Sequence, residues 1–282
     1  MAAGAVKKEI YSEIPMRTWR WLGVNEAAVP AAVLAAPEEH LITVPAGGRN
    51  SVVLVYREEA AARVRVELGA GAVLELVKVQ LAGDRTERAD TVEVKCAAGA
   101  KLVYTAIEAG AARSVTKLAD DLAGEASEAD VAALYFGDGT RHLDMNYIIR
   151  QAGRDTRASM QVHGALAGEA DKIFRGTLDF IRGAKGSIGR EKEEVVLLSP
   201  KVRNRSVPLM LSGEDDVDGH HAVSVGKMDE NKLFYLMSRG LDLAAAQRLV
   251  VEAALAPVLA RVPDGQLAAE VREHIEGRLS HA

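Results

Sequence analysis

The stretch LGAGAVLELVKVQ, Leu68–Gln80, and three later stretches like it decide the fold of this chain. Each combines a turn of small residues with an alternating apolar strand, and the later ones are CAAGAKLVYTAIEAG (96–110), LAGEASEADVAALYFG (122–137) and QAGRDTRASMQVHGAL (151–166). Their glycines at positions 71, 99, 124 and 153 follow one another at intervals of 28, 25 and 29 residues. A period of this length, with two or more strands in each repeat, is typical of a stacked β-solenoid.

A β-sandwich with hairpins at similar spacing is the alternative that this pattern leaves open. Apolar and charged residues alternate through the segment 63–68, so one face of that strand is expected to be buried and the other solvated. Aromatic residues make up only 4% of the chain, and the core must therefore consist mainly of Ala, Val, Leu and Ile. Such small side chains suit the narrow interior of a solenoid.

The bulk properties exclude several classes of function. The 282 residues suffice for one large domain, or for a domain with a smaller appendage. A net charge of −5 argues against nucleic acid or an anionic membrane as the main partner. No apolar run is long enough for a transmembrane helix. Lys7, Lys8 and Glu9 stand where a signal peptide would be apolar, which predicts a cytoplasmic location.

Few residues of the chain suggest catalysis or resident metal binding. Cys96 is the single cysteine, so one chain cannot hold an iron–sulfur cluster or structural zinc by thiolates alone. It is expected to be a buried inert thiol, and His142 and His163 are expected to be hydrogen-bonded strand or turn residues. The segment 183–194, GAKGSIGREKEE, lacks the context of a phosphate loop and predicts a turn between strands. Sequence motifs of the common hydrolases, nucleotide-binding proteins and zinc proteases are also missing.

Three regions follow from the patterns along the chain. Residues 1–34, which contain Trp19 and Trp21, form a short helical or irregular N-terminal lead-in, and residues 35–228 form the β-rich core. Residues 229–282 form a helical segment, in which Asp229 and Asp242 are predicted N-caps. Pro257 is predicted to kink or split the second helix of this segment.

Two adjacent histidines, His220 and His221, are the first candidates for a metal site. Neighbours on an extended strand point to opposite faces, so one imidazole can face the β body while the other faces outward. Imidazole suits iron, zinc and copper, and Asp216 or Asp218 of the preceding acidic run GEDDVDG could add oxygen ligands. An ordinary polar surface strand with a solvated loop is the alternative, and the spacing alone favours it.

The residues that follow the histidine pair resemble a known family. The stretch HAVSVGKMDENKLFYLMSRGL, 221–241, is similar to the C-terminal signature of the SufB/SufD family of iron–sulfur cluster assembly scaffold proteins. In SufD-like members the signature is H-G-A-T-V-G, then an acidic pair, then F-Y-L-x-S-R-G. A weaker similarity covers the segment 183–217. The chain is thereby identified as a shortened SufD-like member of this family.

The resemblance implies a fold, partners and site residues. The body would be a right-handed parallel β-helix followed by a C-terminal α-helical segment, and the protein would be a non-catalytic scaffold. Its late strands would pair with a SufB-like chain or with a second copy. Residues 229–282 would dock the SufC ATPase, an ABC-type subunit, with Phe234, Tyr235 and Arg239 as anchors. His221, with His220 as a weaker second, would contact iron or a transient iron–sulfur cluster at the subunit interface.

One departure from the family pattern concerns the sulfur ligands. SufD-like members usually carry a cysteine two residues before the histidine, where this chain has Gly219. Thiolates for a cluster would therefore come from a partner chain, with His221 as one imidazole ligand. Two alternatives remain open at this point. One is a purely structural partner of the ATPase without a metal site, and the other is a ligand-binding or enzymatic β-solenoid.

Overall fold

Two parallel seven-stranded sheets form the body of the computed structural model, which describes residues 7–15, 20–58 and 60–279. Successive strands alternate between the sheets, so each coil of the chain contributes one strand to each. The odd sheet contains β3 (Glu38–Val44), β5 (Ala61–Leu68), β7 (Glu87–Cys96), β9 (Arg113–Leu122), β11 (His142–Gln151), β13 (Asp171–Phe180) and β15 (Arg203–Ser212). The even sheet contains β4 (Arg49–Tyr56), β6 (Val73–Gln80), β8 (Lys101–Glu108), β10 (Glu128–Gly137), β12 (Arg157–Leu166), β14 (Ser187–Leu197) and β16 (Val217–Lys227).

The pairing of consecutive coils is parallel and in register. Val73 of β6 pairs with Lys101, Lys101 pairs with Glu128, and Glu128 pairs with Arg157. A β-sandwich built of hairpins would instead pair consecutive strands antiparallel. The predicted β-solenoid is therefore confirmed, and the sandwich alternative is wrong.

Both faces of the central strands are buried, for two different reasons. Along β6, Leu74 and Leu76 point into the main core between the sheets. Val77 and Val79 point the other way and pack under the C-terminal helices. Burial on both faces explains why Leu76, Val77 and Val79 break the simple alternation of apolar and polar residues, as is usual for covered parallel sheets.

Three helices follow the last strand, namely α1 (Glu230–Ser238), α2 (Leu243–Leu259) and α3 (Gly265–Leu279). Asp229 and Asp242 cap α1 and α2 through their carboxylates, as the sequence predicts. Pro257 does not split α2, because the helix continues through it and ends two residues later, at Leu259. Helix α2 lies over β10, β12 and β14. None of the helices within the described ranges is long and apolar enough to cross a lipid bilayer.

The N-terminal residues form two strands rather than a helical or irregular lead-in. Strands β1 (Lys8–Glu13) and β2 (Glu26–Pro30) pair antiparallel, and a short 3-10 helix, Arg20–Leu22, precedes β2. Ala27 and Val29 of β2 pack on the outer face of the odd sheet against Ala89 and Val115. The earlier prediction failed because the apolar face of this segment is completed only by distant strands. Trp19 lies outside the described residues.

The segment 183–194 is also corrected by the structure. Only its first residues form a turn, because β14 begins at Ser187 and continues to Leu197. Glu191 and Glu193 are therefore strand residues, and both are buried.

Candidate functional site

The last coil, formed by β15 and β16, leaves one end of the solenoid uncovered, and we call it the open end. Strand β16 is paired only with β14 among the described residues. Nine of the eleven residues in its sequence, VDGHHAVSVGK, are exposed. An edge strand of this kind presents a row of N–H and C=O groups that can pair with another chain.

The two histidines lie on opposite faces of β16, as expected for neighbours on a strand. A Cβ placed on Gly219 would lie 2.6 Å from the Met210 sulfur, so the side of β16 that Gly219 and His221 share faces the solenoid interior. His220 is on the outer side, where its Nε2 lies 3.0 Å from the Asp218 Oδ1. The position at which SufD-like members carry a cysteine is thus filled by the thioether of Met210.

Asp218 is bound to His220 and to an arginine rather than to His221. Arg190 Nη2 donates to Asp218 Oδ2 at 2.5 Å, and this hydrogen bond lowers the pKa of Asp218. Asp216 accepts through its backbone C=O from Gly186 N–H, which ties the acidic loop to the preceding turn. The structure therefore brings one predicted acid, Asp218, to one predicted histidine, His220, on the outer face.

A buried carboxyl lies one strand inside the open end. Glu191 of β14 is the register partner of His221, so the two side chains share the interior side of the sheet. Glu191 is only 3% exposed, and neither carboxyl oxygen has a hydrogen-bond partner within the described part of the chain. Burial, with a smaller contribution from the charge of Glu193, raises the pKa of Glu191 to about 8.

The next acid along β14 is, by contrast, neutralised. Glu193 Oε1 accepts from Tyr135 Oη at 2.9 Å and lies 2.5 Å from Lys172 Nζ. Lys172 also donates to Ser206 Oγ at 3.0 Å. Burial lowers the pKa of Lys172, and the carboxylate of Glu193 offsets part of this shift. The interior near the open end thus holds one acid that is paired through Oε1, Glu193, and one acid with no partner for either oxygen among the described residues, Glu191.

Sequence reasoning missed this interior pair, although a signal for it exists. Glu191 and Glu193 stand four and two positions before Val195, which belongs to the apolar end of the strand. In a strand this spacing places all three on one face. The pair was missed because the whole segment 183–194 was interpreted as a turn.

The other candidate histidines and the cysteine have structural partners. His142 Nδ1 lies 3.5 Å from Asp171 Oδ2, and His163 Nδ1 lies 3.5 Å from Glu194 Oε2. Cys96 is buried inside the solenoid. Burial raises the pKa of its thiol, as expected for an inert one. Across the described ranges, no three His, Cys, Asp or Glu side chains are arranged to hold a metal ion.

Helix α1 carries the predicted partner-binding residues on an exposed surface. Phe234 is 75% exposed and Tyr235 is 54% exposed, and no residue of α1 is buried. The guanidinium of Arg239 lies 5.2 Å from the centre of the Tyr235 ring, in cation–π range. We call Phe234, Tyr235 and Arg239 the aromatic patch. Exposed aromatic and arginine side chains of this kind are typical of binding surfaces.

Comparison with known proteins gives a family match over most of the chain. Residues 27–254 match the family model described as "SUF system FeS cluster assembly, SufBD core domain". The chain is 32% identical over 150 residues to the iron–sulfur cluster assembly protein SufD of Bacillus subtilis, a match that covers 53% of this chain and 34% of that protein. It is 30% identical over 166 residues to an iron–sulfur cluster assembly SufBD family protein of Mycobacterium bovis, covering 56% and 41%. These matches span well under half the length of the relatives.

Proposed function

Because the chain belongs to the SufBD family of iron–sulfur cluster assembly proteins, we propose that it is a non-catalytic scaffold subunit of that machinery. In this proposal the open end pairs with a SufB- or SufD-type chain, or with a second copy of itself. The C-terminal helices dock an ABC-type ATPase of the SufC kind. Iron or a nascent cluster is the cargo held at the paired end.

The unpaired edge of β16 is the observation that carries the proposal. The strand is eleven residues long and contains no proline, and its one lysine stands at the very end. Val223 is 36% exposed and Val225 is 44% exposed. Proteins usually protect such an edge with charges, proline or a covering element. Between Asp218 and Lys227 the edge has no acidic residue, lysine, arginine or proline, and this part of it is suited to strand addition by a partner.

A lysine in place of Val225 is expected to abolish pairing at the open end. The substitution places a charge within the proposed interface, where it would lose its hydration, yet it should leave the isolated chain folded because Val225 is exposed. The measurement is light scattering coupled to size-exclusion chromatography, on the full chain co-expressed with a SufB-like protein and the ATPase. Leu41→Lys is the matched control, because Leu41 is 72% exposed at the opposite end of the solenoid. The proposal fails if the wild-type chain forms no complex, or if Val225→Lys and Leu41→Lys assemble equally well.

Loss of the aromatic patch is expected to weaken ATPase docking. Replacing both Phe234 and Tyr235 by alanine removes two exposed anchors without opening a cavity, so the melting temperature should be unchanged. Such anchors are each worth about 1–3 kcal/mol at interfaces, so the dissociation constant for the ATPase should rise at least tenfold. Isothermal titration calorimetry measures this change, and Trp21→Ala is the control, because Trp21 is an exposed aromatic residue (81%) outside the C-terminal helices. Unchanged affinity would move the docking surface away from α1.

The metal role rests on His221, with His220 as the weaker second ligand. Thiolates would be supplied by the partner chain. Cys96 is unsuited to this role because it is buried on β7, several coils before the open end, and its thiol donates to Asp120 Oδ1. Mixed imidazole and thiolate ligation of iron is chemically sound. The filling of the Gly219 position by Met210 favours a second candidate, a structural subunit that docks the ATPase but holds no metal.

A further inference from the structure

The carboxyl group of Glu191 lies in the solenoid interior, in space that the glycine at position 176 leaves free. A Cβ added to Gly176 on β13 would lie 2.0 Å from Glu191 Oε1, so the carboxyl reaches across to the backbone of the facing sheet. Any larger residue at position 176 would displace it. Neither oxygen has a hydrogen-bond partner among the described residues. Lys172 Nζ, the nearby cation, is paired with Glu193.

An unpaired buried carboxyl is costly unless a cation or a donor reaches it. The neighbouring strand β16 carries a side chain that could share a cation with it. His221 is the register partner of Glu191 on the terminal strand, on the same side of the sheet, and it is exposed. Side chains at directly paired positions of neighbouring strands lie about 5 Å apart at Cβ. A small ion entering at the open end would therefore meet the imidazole of His221 first and the carboxyl of Glu191 behind it.

We propose that Glu191 and His221 supply a carboxylate and an imidazole to a divalent transition-metal site of the ferrous-iron class. One carboxylate with one or two imidazoles is a ligand set that suits such ions, and it leaves positions open for other ligands. No three ligating side chains come together in the described residues, so the site is a pair that water or a partner chain completes. The inference rests on the proposed function in one respect, namely that the open end is where iron arrives.

The test is an anaerobic titration of the full chain with Mn²⁺, in which binding is measured as the loss of the free-ion signal in electron paramagnetic resonance. Competition with Fe²⁺ is then measured in the same way. The wild-type chain is expected to bind one ion. Glu191→Gln and His221→Ala are each expected to weaken binding at least tenfold. The matched control, Glu194→Gln, changes a neighbouring carboxyl on the outer face, beside His163, and should bind as the wild type does. Glu191→Gln keeps the shape of the side chain, so its fold is expected to be intact by circular dichroism.

The inference is overturned if Glu191→Gln binds the ion as tightly as the wild type. It is also overturned if the wild type binds no ion, in which case Glu191 is a buried acid without a ligand role. Equal loss in the Glu194→Gln control would also overturn it, because the effect would then be one of surface charge. Complex formation with the SufB-like chain and the ATPase is measured on the same variants. Assembly without metal binding would reject this site while leaving the scaffold proposal intact, and metal binding without assembly would do the reverse.

Discussion

Replacing Lys78 by methionine is expected to lower the free energy of unfolding by about 3–5 kcal/mol. Lys78 points into the solenoid from β6, and its side chain is 1% exposed. Its Nζ lies 2.5 Å from Asp90 Oδ1 and 2.7 Å from Glu108 Oε1. Burial opposes its charge, but the two carboxylates more than compensate and raise the pKa of Lys78. Removing the ammonium would leave two acids in the core, of which Asp90 keeps Arg88 as a partner, with the Arg88 Nε 3.3 Å from the Asp90 Oδ2.

Urea unfolding followed by circular dichroism measures this loss. Lys101→Met is the matched control, because Lys101 forms an ion pair with Glu128 at 2.9 Å on the surface, where both side chains are more than a third exposed. Such a pair contributes about 0–1 kcal/mol. The double change Lys78→Met and Glu108→Gln should recover much of the stability, since Glu108 then carries no charge and Asp90 keeps its ion pair with the buried Arg88. If Lys78→Met costs no more than Lys101→Met, the interior acids are hydrated and the argument fails.

The glycine period led to the correct fold even though it combined two different positions of the turn. Gly71 and Gly99 have φ of 64° and 63°, a conformation that glycine tolerates without strain. Their structural equivalents in the next two coils are Ala126 and Asp155, with φ of 56° and 55°. Each of these residues donates its N–H to a carbonyl in the turn of the following coil. Measured at equivalent positions the repeat is 28, 27 and 29 residues, which is more regular than the glycines suggest.

The two glycines that broke the regularity have a different physical role. A Cβ on Gly124 would lie 2.0 Å from the Ala98 nitrogen, and one on Gly153 would lie 2.2 Å from the Gly124 oxygen. Both therefore permit the close approach of backbones in adjacent coils. A sequence marks the presence of a small residue, but it does not distinguish a need for positive φ from a need for space.

The candidate site could be predicted only in part. The signature after His221 drew attention to that residue, and strand alternation correctly separated it from His220. Glu191 could not be linked to His221, because they are 30 residues apart and meet only through the register of β14 and β16. The docking of β1 and β2 on the odd sheet was missed for the same reason, since some of its contacts join residues more than 100 positions apart.

Arg175→Met is expected to release those N-terminal strands and to lower the free energy of unfolding by about 3–5 kcal/mol. The Arg175 side chain is fully buried and forms an ion pair with Asp144 on the neighbouring strand β11. It also donates to the backbone carbonyls of Val24 and Glu26, at the start of β2. One guanidinium thus satisfies a buried carboxylate and anchors the N-terminal segment, a combination that lysine or methionine cannot reproduce.

Hydrogen–deuterium exchange separates the two parts of this effect. Protection of residues 22–30 should fall by more than that of β12 or β13, because the segment loses its anchor while the coils keep their own ladder of hydrogen bonds. Combining Arg175→Met with Asp144→Asn should restore part of the global stability, since the buried charge is gone, but not the protection of the segment. Val207 and Leu209 of β15 pack against Ile14 and Val24 of the segment. Its release should therefore also loosen the open end, and unchanged exchange in β15 would show that the two are uncoupled.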